Sequence, residues 1–303
     1  MRQITLPGPI SLMLRAGAAL GISTSAGKDS QAMTVLLAAL ARQSSEWGGP
    51  VFNIHAHLGR AEWAESLPHA ERVAERCEIP LVVVRNEKGD LVDRVEGRLT
   101  SLAGTGINPF MSARQRFCTS EYKSGPINKY LRRFWLVVSA IGIRREESKR
   151  RREKPAFQIN RQLTSRRLWG LTVEEALRVR KPEQRLALIW HPIIDFSLDD
   201  VWEACGTSKT EIAIRRALYR EGKHAKALAG ATVHPAYIRG AKRVSCALCI
   251  LADKQTLIVG ARHNPELLGR YREVERRSGK TFQPGRALIT LDLSEPKAQP
   301  TLY

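Results

Sequence analysis

Short apolar segments that alternate with segments of helical spacing limit this chain's fold more than any other feature. The apolar segments, rich in β-branched residues, predict strands at 20–25, 51–56, 80–84 and 136–141. After each of the first two predicted strands, apolar residues recur at helical spacing, which predicts helices over 29–42 and 62–77. Strands alternating with helices over short connections predict a parallel sheet with helices on both faces. We therefore expect an α/β fold that binds its ligand at the carboxyl ends of the strands.

Three polar loops follow predicted strands and should meet at that edge of the sheet. They are residues 26–30, His57 and residues 142–148. The alternative interpretation is that they are unrelated surface loops. If the fold is as predicted, the three loops border one ligand site.

The composition changes after the third of these loops. Between residues 142 and 186 there are 14 Lys or Arg and only 6 Asp or Glu. We therefore predict a first domain over 1–150, a basic, mainly helical C-terminal part over 151–292, and a polar tail over 293–303.

The whole chain is strongly basic, and this bears on its partners. It has 49 Lys and Arg against 30 Asp and Glu, a formal charge of +19. Such an excess predicts an acidic partner, and nucleic acid fits better than a polyphosphate ligand alone. No apolar run is long enough to span a bilayer and no signal peptide is evident, so we expect a cytoplasmic protein with no membrane partner. In that reducing compartment the five cysteines should be core, metal-binding or redox residues.

The loop after the first predicted strand has the residues of an anion-binding cradle. It reads Ser25-Ala26-Gly27-Lys28-Asp29-Ser30 and ends where a helix begins. A helix N-terminus presents unpaired N–H groups, a glycine lets an anion approach the backbone, and lysine and serine add charge and donors. It matches neither the Walker A pattern nor G-x-G-x-x-G. The alternative is an ordinary capped helix with an exposed lysine.

This loop resembles the PP-loop of the adenine nucleotide α-hydrolase superfamily, and specifically that of the phosphoadenosine phosphosulfate (PAPS) reductase family. Further segments resemble family motifs in the same order, and they lie at 118–126, 142–151, 191–202 and 245–249. They read C-x-x-x-x-K-x-x-P, G-x-R-x-x-E-S-x-x-R, H-P-I-I-D-F…D-V-W and S-C-A-L-C. The resemblance covers most of the chain and implies a Rossmann-like, adenine nucleotide α-hydrolase-like fold.

The resemblance also implies a set of nucleotide-binding residues. It comprises Ser23, Ser25, Ala26, Gly27, Lys28, Asp29, Ser30, Ala56 and His57. The PP-loop residues would hold the pyrophosphate of ATP with the help of Mg²⁺, and adenine would lie near Ser23 and Ala56. Arg144 and Arg151 would neutralise the outer phosphates, and Glu147 would orient an arginine or reach the metal. His57 stands where many relatives have aspartate.

Three cysteines fall in the resembling segments and raise the question of a metal group. They are Cys118 and the C-x-x-C pair of Cys246 and Cys249. Iron–sulfur members of the family use four thiolates, and a [4Fe–4S] cluster held by three cysteines would leave one iron free for sulfide. We predict such a cluster, with structural zinc and unliganded thiols as the alternatives.

Together these features predict an ATP pyrophosphatase that adenylates a nucleic acid for sulfur insertion. The resemblance points to the PAPS-reductase-like proteins of DNA phosphorothioation systems, of the DndC and SspD type. The expected partners are DNA, a cysteine desulfurase that donates sulfur, and other proteins of a modification system. The alternatives are a transfer-RNA thiolation enzyme, a nucleic-acid-binding module with a degenerate nucleotide pocket, and a PAPS or adenylyl-sulfate reductase. A reductase of this family needs a reactive thiolate in its C-terminal tail to attack the sulfate sulfur, and the sequence has no cysteine after Cys249.

Overall fold

One six-stranded sheet organises the molecule in the computed structural model, which describes residues 2–294. The strands are β1 (Ala19–Thr24), β2 (Val51–Ala56), β3 (Leu81–Val84), β4 (Leu136–Ile141), β5 (Phe157–Ile159) and β6 (Leu186–Trp190). Their order across the sheet is β3-β2-β1-β4-β6-β5. All neighbours are parallel except β5, which runs antiparallel to β6. The predicted α/β, Rossmann-like fold is therefore confirmed.

Fourteen α-helical segments connect and cover the strands of the described residues. They are α1 (Gly8–Arg15), α2 (Lys28–Gln43), α3 (Ser66–Arg76), α4 (Leu91–Ser101), α5 (Phe117–Thr119), α6 (Gly125–Leu131), α7 (Lys149–Arg152), α8 (Val173–Val179), α9 (Leu198–Ala204), α10 (Lys209–Arg220), α11 (His224–Leu228), α12 (Pro235–Ile238), α13 (Lys254–His263) and α14 (Pro265–Ser278). A π-helical turn, Ser120–Ser124, joins α5 to α6. From α9 onward the chain is mainly helical, as the sequence predicts.

The sequence patterns predict four of the six strands and two of the helices, and most of these predicted boundaries lie close to the observed ones. The predicted strands at β2 and β4 agree with the structure at both ends, and α2 extends one residue beyond its prediction at each end. The predicted helix 62–77 is longer than the observed α3. Glu62 is extended and forms an isolated bridge with Cys246, so the backbone there is used for a contact with the C-terminal part.

The order of the strands creates a switch point between β1 and β4. From β1 the chain builds outward through β2 and β3, and from β4 it builds outward in the other direction. Ser23 of β1 pairs with Ile141 of β4, so the loops that follow these strands leave the sheet side by side. In α/β sheets the crevice at such a point is the usual place for a ligand.

The sheet draws strands from both sides of residue 150, since β5 and β6 lie beyond it. The division at residue 150 stays a prediction. Of the predicted tail 293–303, only residues 293 and 294 lie within the described part of the chain. No helix within residues 2–294 combines the length and the apolar character that crossing a bilayer requires.

Two buried histidines should make the stability of this fold depend on pH. The rings of His69 and His234 lie 5.7 Å apart; His69 Nε2 is 2.9 Å from Gln31 Oε1, and His234 Nδ1 accepts a hydrogen bond from the Ala236 N–H. Burial lowers the pKa of His69 to about 4 and that of His234 to about 3. Unfolded histidine titrates near 6.5, so the unfolded chain binds more protons below that pH.

We therefore expect the free energy of unfolding to fall as the pH drops from about 6.5 toward 4, by up to ~1.4 kcal/mol per pH unit for each histidine. Urea denaturation at a series of pH values measures this dependence. His69→Gln should flatten the dependence on pH in this range. The same slope in parent and variant would contradict the assignment.

Candidate functional site

The loop between β1 and α2 is held in a cradle shape by its own side chains. Ala26 has a left-handed backbone conformation (φ 59°), which is uncommon for a residue other than glycine. The Ser30 hydroxyl donates to the Gly27 carbonyl at 2.9 Å and accepts from the Ser25 N–H at 3.1 Å. The loop thereby turns back over the start of α2, where helix N–H groups lack intrahelical partners.

Two aromatic residues from the C-terminal part close one side of the cradle. The hydroxyl of Tyr237, in α12, accepts a hydrogen bond from the Lys28 N–H at 2.9 Å. Burial raises the pKa of Tyr237, which keeps its hydroxyl protonated. Its ring packs edge-on against Trp202 of α9 at 5.2 Å, and the Lys28 ammonium lies 5.6 Å and 5.8 Å from the centres of these two rings. The aromatic pair therefore fixes both the backbone and the charge of Lys28.

Lys28, Asp29 and Arg144 form a continuous chain of ion pairs. Lys28 Nζ lies 2.8 Å from Asp29 Oδ2, and Arg144 Nε lies 2.6 Å from Asp29 Oδ1. Burial alone would raise the pKa of Asp29, but the charges and hydrogen bonds of Lys28 and Arg144 outweigh burial and lower it. Asp29 is therefore ionised at neutral pH and ties the PP-loop to the loop after β4.

Glu147 and Arg151 continue this arrangement toward solvent. A Glu147 oxygen accepts a hydrogen bond from the Arg144 N–H at 2.8 Å, and the carboxylate forms an ion pair with Arg151. Ser148 caps α7 by accepting from the Arg151 N–H. The predicted residues Lys28, Asp29, Arg144, Glu147 and Arg151 thus meet in one place, as the sequence predicts for loops at one sheet edge.

A cavity of about 1010 Å³, which we call the phosphate cavity, lies over this arrangement. Its lining carries ten cationic side chains: Lys28, Arg116, Arg144, Arg150, Arg151, Lys154, Lys209, Arg216, Lys242 and Arg243. Glu147 is the single acid among its lining residues. Within residues 2–294, Arg116, Arg150, Lys154 and Arg243 form no ion pair with a carboxylate. Such uncompensated positive charge favours a polyanionic ligand.

The contact between the two loops leaves no room for a side chain at Gly142. A Cβ atom there would lie 2.9 Å from the Asp29 carbonyl oxygen and 3.2 Å from the Ser30 nitrogen. Both are backbone atoms at the start of α2, and they cannot move without shifting the cradle.

We expect Gly142→Ala to cost about 1–3 kcal/mol of stability and to weaken nucleotide binding. Urea denaturation and calorimetry measure the two effects. Gly97→Ala is the control, because a Cβ at Gly97 would meet nothing within 4 Å; an equal loss of binding in both variants would contradict this explanation.

A second cavity, of about 990 Å³, adjoins the phosphate cavity and shares Arg150 and Lys154 with it. Ser23, Ser139 and Trp169 are among its lining residues, so it lies at the carboxyl ends of β1 and β4. Ser23 is thus the predicted nucleotide-binding residue that faces this space, which we call the Ser23 cavity.

Ala56 and His57 are placed differently from the other predicted residues. Neither belongs to the lining of the phosphate cavity or the Ser23 cavity. Ala56 is nearly buried at the end of β2. His57 Nδ1 accepts a hydrogen bond from the Gly59 N–H, and Nε2 lies 3.7 Å from Glu62. Burial lowers the pKa of His57. The nucleotide contacts of these two residues stay predictions.

The three predicted cysteines all lie close enough to Lys123 to influence its pKa. Cys118 and Cys246 are buried and Cys249 is half-buried. Burial would lower the pKa of Lys123, but the thiols and Glu62 raise it. Burial raises the pKa of Cys118 and Cys246, and Lys123 opposes both shifts. The buried Tyr271 hydroxyl, whose pKa is raised by burial and then by Cys246, has no hydrogen-bond partner among residues 2–294. We call the set of Cys118, Cys246, Cys249, Lys123 and Tyr271 the thiol pocket.

Residues of the thiol pocket are close in sequence to residues that line the phosphate cavity. Arg116 lines the cavity two residues before Cys118, and Leu251 lines it two residues after Cys249. Within residues 2–294, however, no group of three or more His, Cys, Asp or Glu side chains is arranged to hold a metal ion. The iron–sulfur cluster therefore stays a prediction. For Mg²⁺, the two nearest carboxylates, Asp29 and Glu147, already contact cations, so this ion also stays a prediction.

Sequence reasoning missed the aromatic pair, Lys123 and most of the cavity's cations. A signal existed for Trp202, which belongs to the D-V-W element, whereas Tyr237 ends the segment His-Pro-Ala-Tyr at 234–237, to which no role was assigned. Neither element showed that its ring would reach Lys28, since the contact joins residues about 200 positions apart. Lys154, Lys242 and Arg243 lie in ordinary-looking basic stretches and had no signal of their own.

Comparison with known proteins gives one strong match. The model of the phosphoadenosine phosphosulfate reductase domain family matches residues 19–252. A search of curated proteins found no match. Among solved structures, the chain is similar to FMN adenylyltransferase from Candida glabrata, solved with FMN and an ATP analogue, with 13% identity and a TM-score of 0.32. That match covers 61% of this chain and 46% of that enzyme, and so weak a likeness does not bear on what this chain binds.

Proposed function

The chain belongs to the phosphoadenosine phosphosulfate reductase domain family, and from this premise we propose that it cleaves ATP between the α- and β-phosphates to adenylate a nucleic acid for sulfur insertion. The observation that carries the proposal is the phosphate cavity, where ten cations and one carboxylate lie at the switch point of the sheet. A polyphosphate is the small-molecule ligand that this charge balance favours.

The phosphates of ATP would lie along the start of α2 and the loop after β4. The N–H groups of Ser25 and Lys28 already donate to Ser30 and Tyr237, so other N–H groups of the PP-loop would bind one phosphate. Lys28 and Arg144 would bind the oxygens that gain charge during the reaction. Asp29 holds both cations in place through its two oxygens. The adenosine would extend into the Ser23 cavity, which Arg150 and Lys154 connect to the phosphate cavity. A Mg²⁺ ion carried in by the phosphates would add positive charge there.

The reaction would proceed in two displacements. In the first, an oxygen of the nucleic acid attacks the α-phosphorus, the bond to the bridging oxygen breaks, and pyrophosphate leaves. This step needs a fixed in-line geometry and positive charge, which the cavity's lysines and arginines supply. In the second, the terminal sulfur of a persulfide formed by a cysteine desulfurase attacks the activated atom, and AMP leaves with its oxygen. A second thiol then attacks the remaining S–S bond, which leaves the sulfur on the acceptor and releases a disulfide. The nearby thiol pocket is where we propose that this sulfur arrives.

DNA is the acceptor that we propose, within a phosphorothioation system that includes other proteins. The net charge of +19 supports a polymeric phosphate partner. The rival from the same family is a PAPS or adenylyl-sulfate reductase, which would release sulfite and use an adenylyl-sulfate in place of ATP. A binding module with a degenerate pocket would bind nucleotide and release neither product.

One assay separates these three functions. The purified protein is incubated with ATP or with PAPS, with and without DNA and a persulfide donor, while pyrophosphate and sulfite are measured. We expect pyrophosphate from ATP, stimulated by nucleic acid, and no sulfite from PAPS with a thiol reductant. Sulfite without pyrophosphate would establish the reductase instead, and the absence of both products would leave the binding module.

A further inference from the structure

A third depression, which we call the arginine groove, opens beside the phosphate cavity and has no role in the reaction described so far. It has a volume of about 1110 Å³ and lies along residues 114–128. Five arginines line it together with one acid: Arg98, Arg114, Arg116, Arg132, Arg150 and Glu121.

Most of the arginines in the groove have no carboxylate partner within residues 2–294. Arg114, Arg116, Arg132 and Arg150 form no ion pair with an acid in this part of the chain, and the groove's one acid, Glu121, contacts Arg94 at 3.0 Å. A row of uncompensated guanidinium groups is costly by self-repulsion unless an anion is present, and it therefore indicates an anionic ligand.

The groove is continuous with the phosphate cavity, because Arg116 and Arg150 line both. One ATP molecule occupies only the phosphate cavity and the Ser23 cavity in the proposed reaction. The remaining cations are spread along a separate, open path that leads to the reacting phosphate. A ligand with repeated negative charges along its length fits this arrangement, and a phosphodiester backbone has them.

The depth of the reacting site favours one strand over a duplex. Lys28 and Arg144 are only 6% and 5% exposed, so an attacking oxygen must enter a recess. Enzymes that react with nucleotides in such recesses act on single strands or on nucleotides displaced from the duplex. The ring of Phe117, the one aromatic residue lining the groove, is 8% exposed and is covered by Arg94 and Arg98, so it offers no stacking surface to bases. Recognition would rest on phosphates and would be independent of sequence.

We propose that the arginine groove binds the phosphodiester backbone of a single nucleic-acid strand and leads it to the α-phosphate of ATP. This inference rests on the proposed function for the reaction at the end of the groove. The binding itself does not depend on that reaction. The side chains of Gln115, Ser120 and Asn128 in the groove add neutral hydrogen-bonding groups for phosphate oxygens.

The test compares two double variants of the full chain. Arg114→Ala with Arg132→Ala removes two exposed groove arginines that do not line the phosphate cavity. Arg72→Ala with Arg76→Ala removes two exposed arginines of α3, which line neither space. Fluorescence anisotropy with a labelled single-stranded DNA, the same sequence as RNA, and the duplex gives affinities over a range of salt concentrations. ATP affinity, measured by calorimetry on each variant, reports whether the phosphate cavity is intact.

We expect the groove variant to bind single-stranded DNA roughly tenfold more weakly, with a slope of log affinity against log salt reduced by about 1.4, or ~0.7 per lost phosphate contact. The α3 variant should bind like the parent. Tighter binding of the RNA than of the single-stranded DNA would still support a single strand in the groove, and it would identify RNA as the nucleic acid. An equal loss in both variants, or a preference for the duplex, would overturn the proposal. Loss of strand binding in the groove variant of a protein that releases no pyrophosphate would refute the proposed reaction and leave the groove assignment standing.

Discussion

Lys28→Met lowers the rate of pyrophosphate release from ATP by about two to three orders of magnitude, as expected for the loss of a preorganised charge at the reacting phosphate. Methionine keeps the apolar stem that packs near Trp202 and Tyr237, so the variant removes the ammonium and retains most of the packing. The Lys28 N–H also keeps its hydrogen bond to Tyr237. The loss should appear in kcat more than in KM, because the charge acts on the transition state.

The matched control is Lys129→Met. Lys129 is paired with Glu87 on the surface and lines none of the three cavities described above. Single-turnover measurement of pyrophosphate release compares both variants with the parent, and we expect the control to stay within about twofold, as for an exposed ion pair. A Lys28→Met protein with parental turnover would show that the reacting phosphates lie elsewhere.

Asp29→Ala destabilises the folded protein by about 3–5 kcal/mol, the usual cost of leaving buried charges without their partner. The substitution removes the carboxylate that both Lys28 and Arg144 contact, and these cations are almost fully buried. Lys28 would then face the apolar rings without its carboxylate partner, and Arg144 would keep only its ion pair with the more exposed Glu146. The protein should regain part of this stability when a polyphosphate is added, because the ligand supplies the missing negative charge.

Glu46→Ala is the control for this second variant. Glu46 pairs with Arg15 on the surface, with both side chains more than half exposed and neither lining a cavity described above, so its loss should cost only about 0–1 kcal/mol. Urea denaturation with and without pyrophosphate measures both effects. If Asp29→Ala and Glu46→Ala unfold at the same urea concentration, the buried ion-pair chain does not stabilise the start of α2.

The sheet and the position of the site could be predicted because both depend on local sequence patterns. The spacing of apolar residues predicted β1, α2, β2 and β4. Because parallel strands end at the same edge of a sheet, the PP-loop was then expected beside the loop at Gly142. The structure confirms that meeting through the contact of Gly142 with the Asp29 backbone and the ion pair of Arg144 with Asp29. Neither β5 nor β6 was predicted. The three half-buried residues of β5 show no alternation, and β6 is a short apolar run within the stretch that was predicted to be mainly helical.

The details that depend on tertiary packing could not be predicted in the same way. Tyr237 reaches the Lys28 N–H only because α9 and α12 fold back over α2, and no local pattern encodes that contact. Lys123 was visible as one letter of the C-x-x-x-x-K motif, but its position among three thiols follows from the π-helical turn that carries it. The chemistry of the thiol pocket is for that reason the part of the site that the sequence describes least.

We propose that the start of α2 and the loop after β4 bind the phosphates of ATP, with the α-phosphorus open to attack. The sharpest test is a crystal structure of the protein with a non-hydrolysable α,β-methylene analogue of ATP. We expect phosphate oxygens within hydrogen-bond distance of the PP-loop amides, Lys28 and Arg144, and adenosine beside Ser23. Phosphates bound outside the phosphate cavity, with Lys28 and Arg144 still paired only to Asp29 and Glu146, would contradict this proposal.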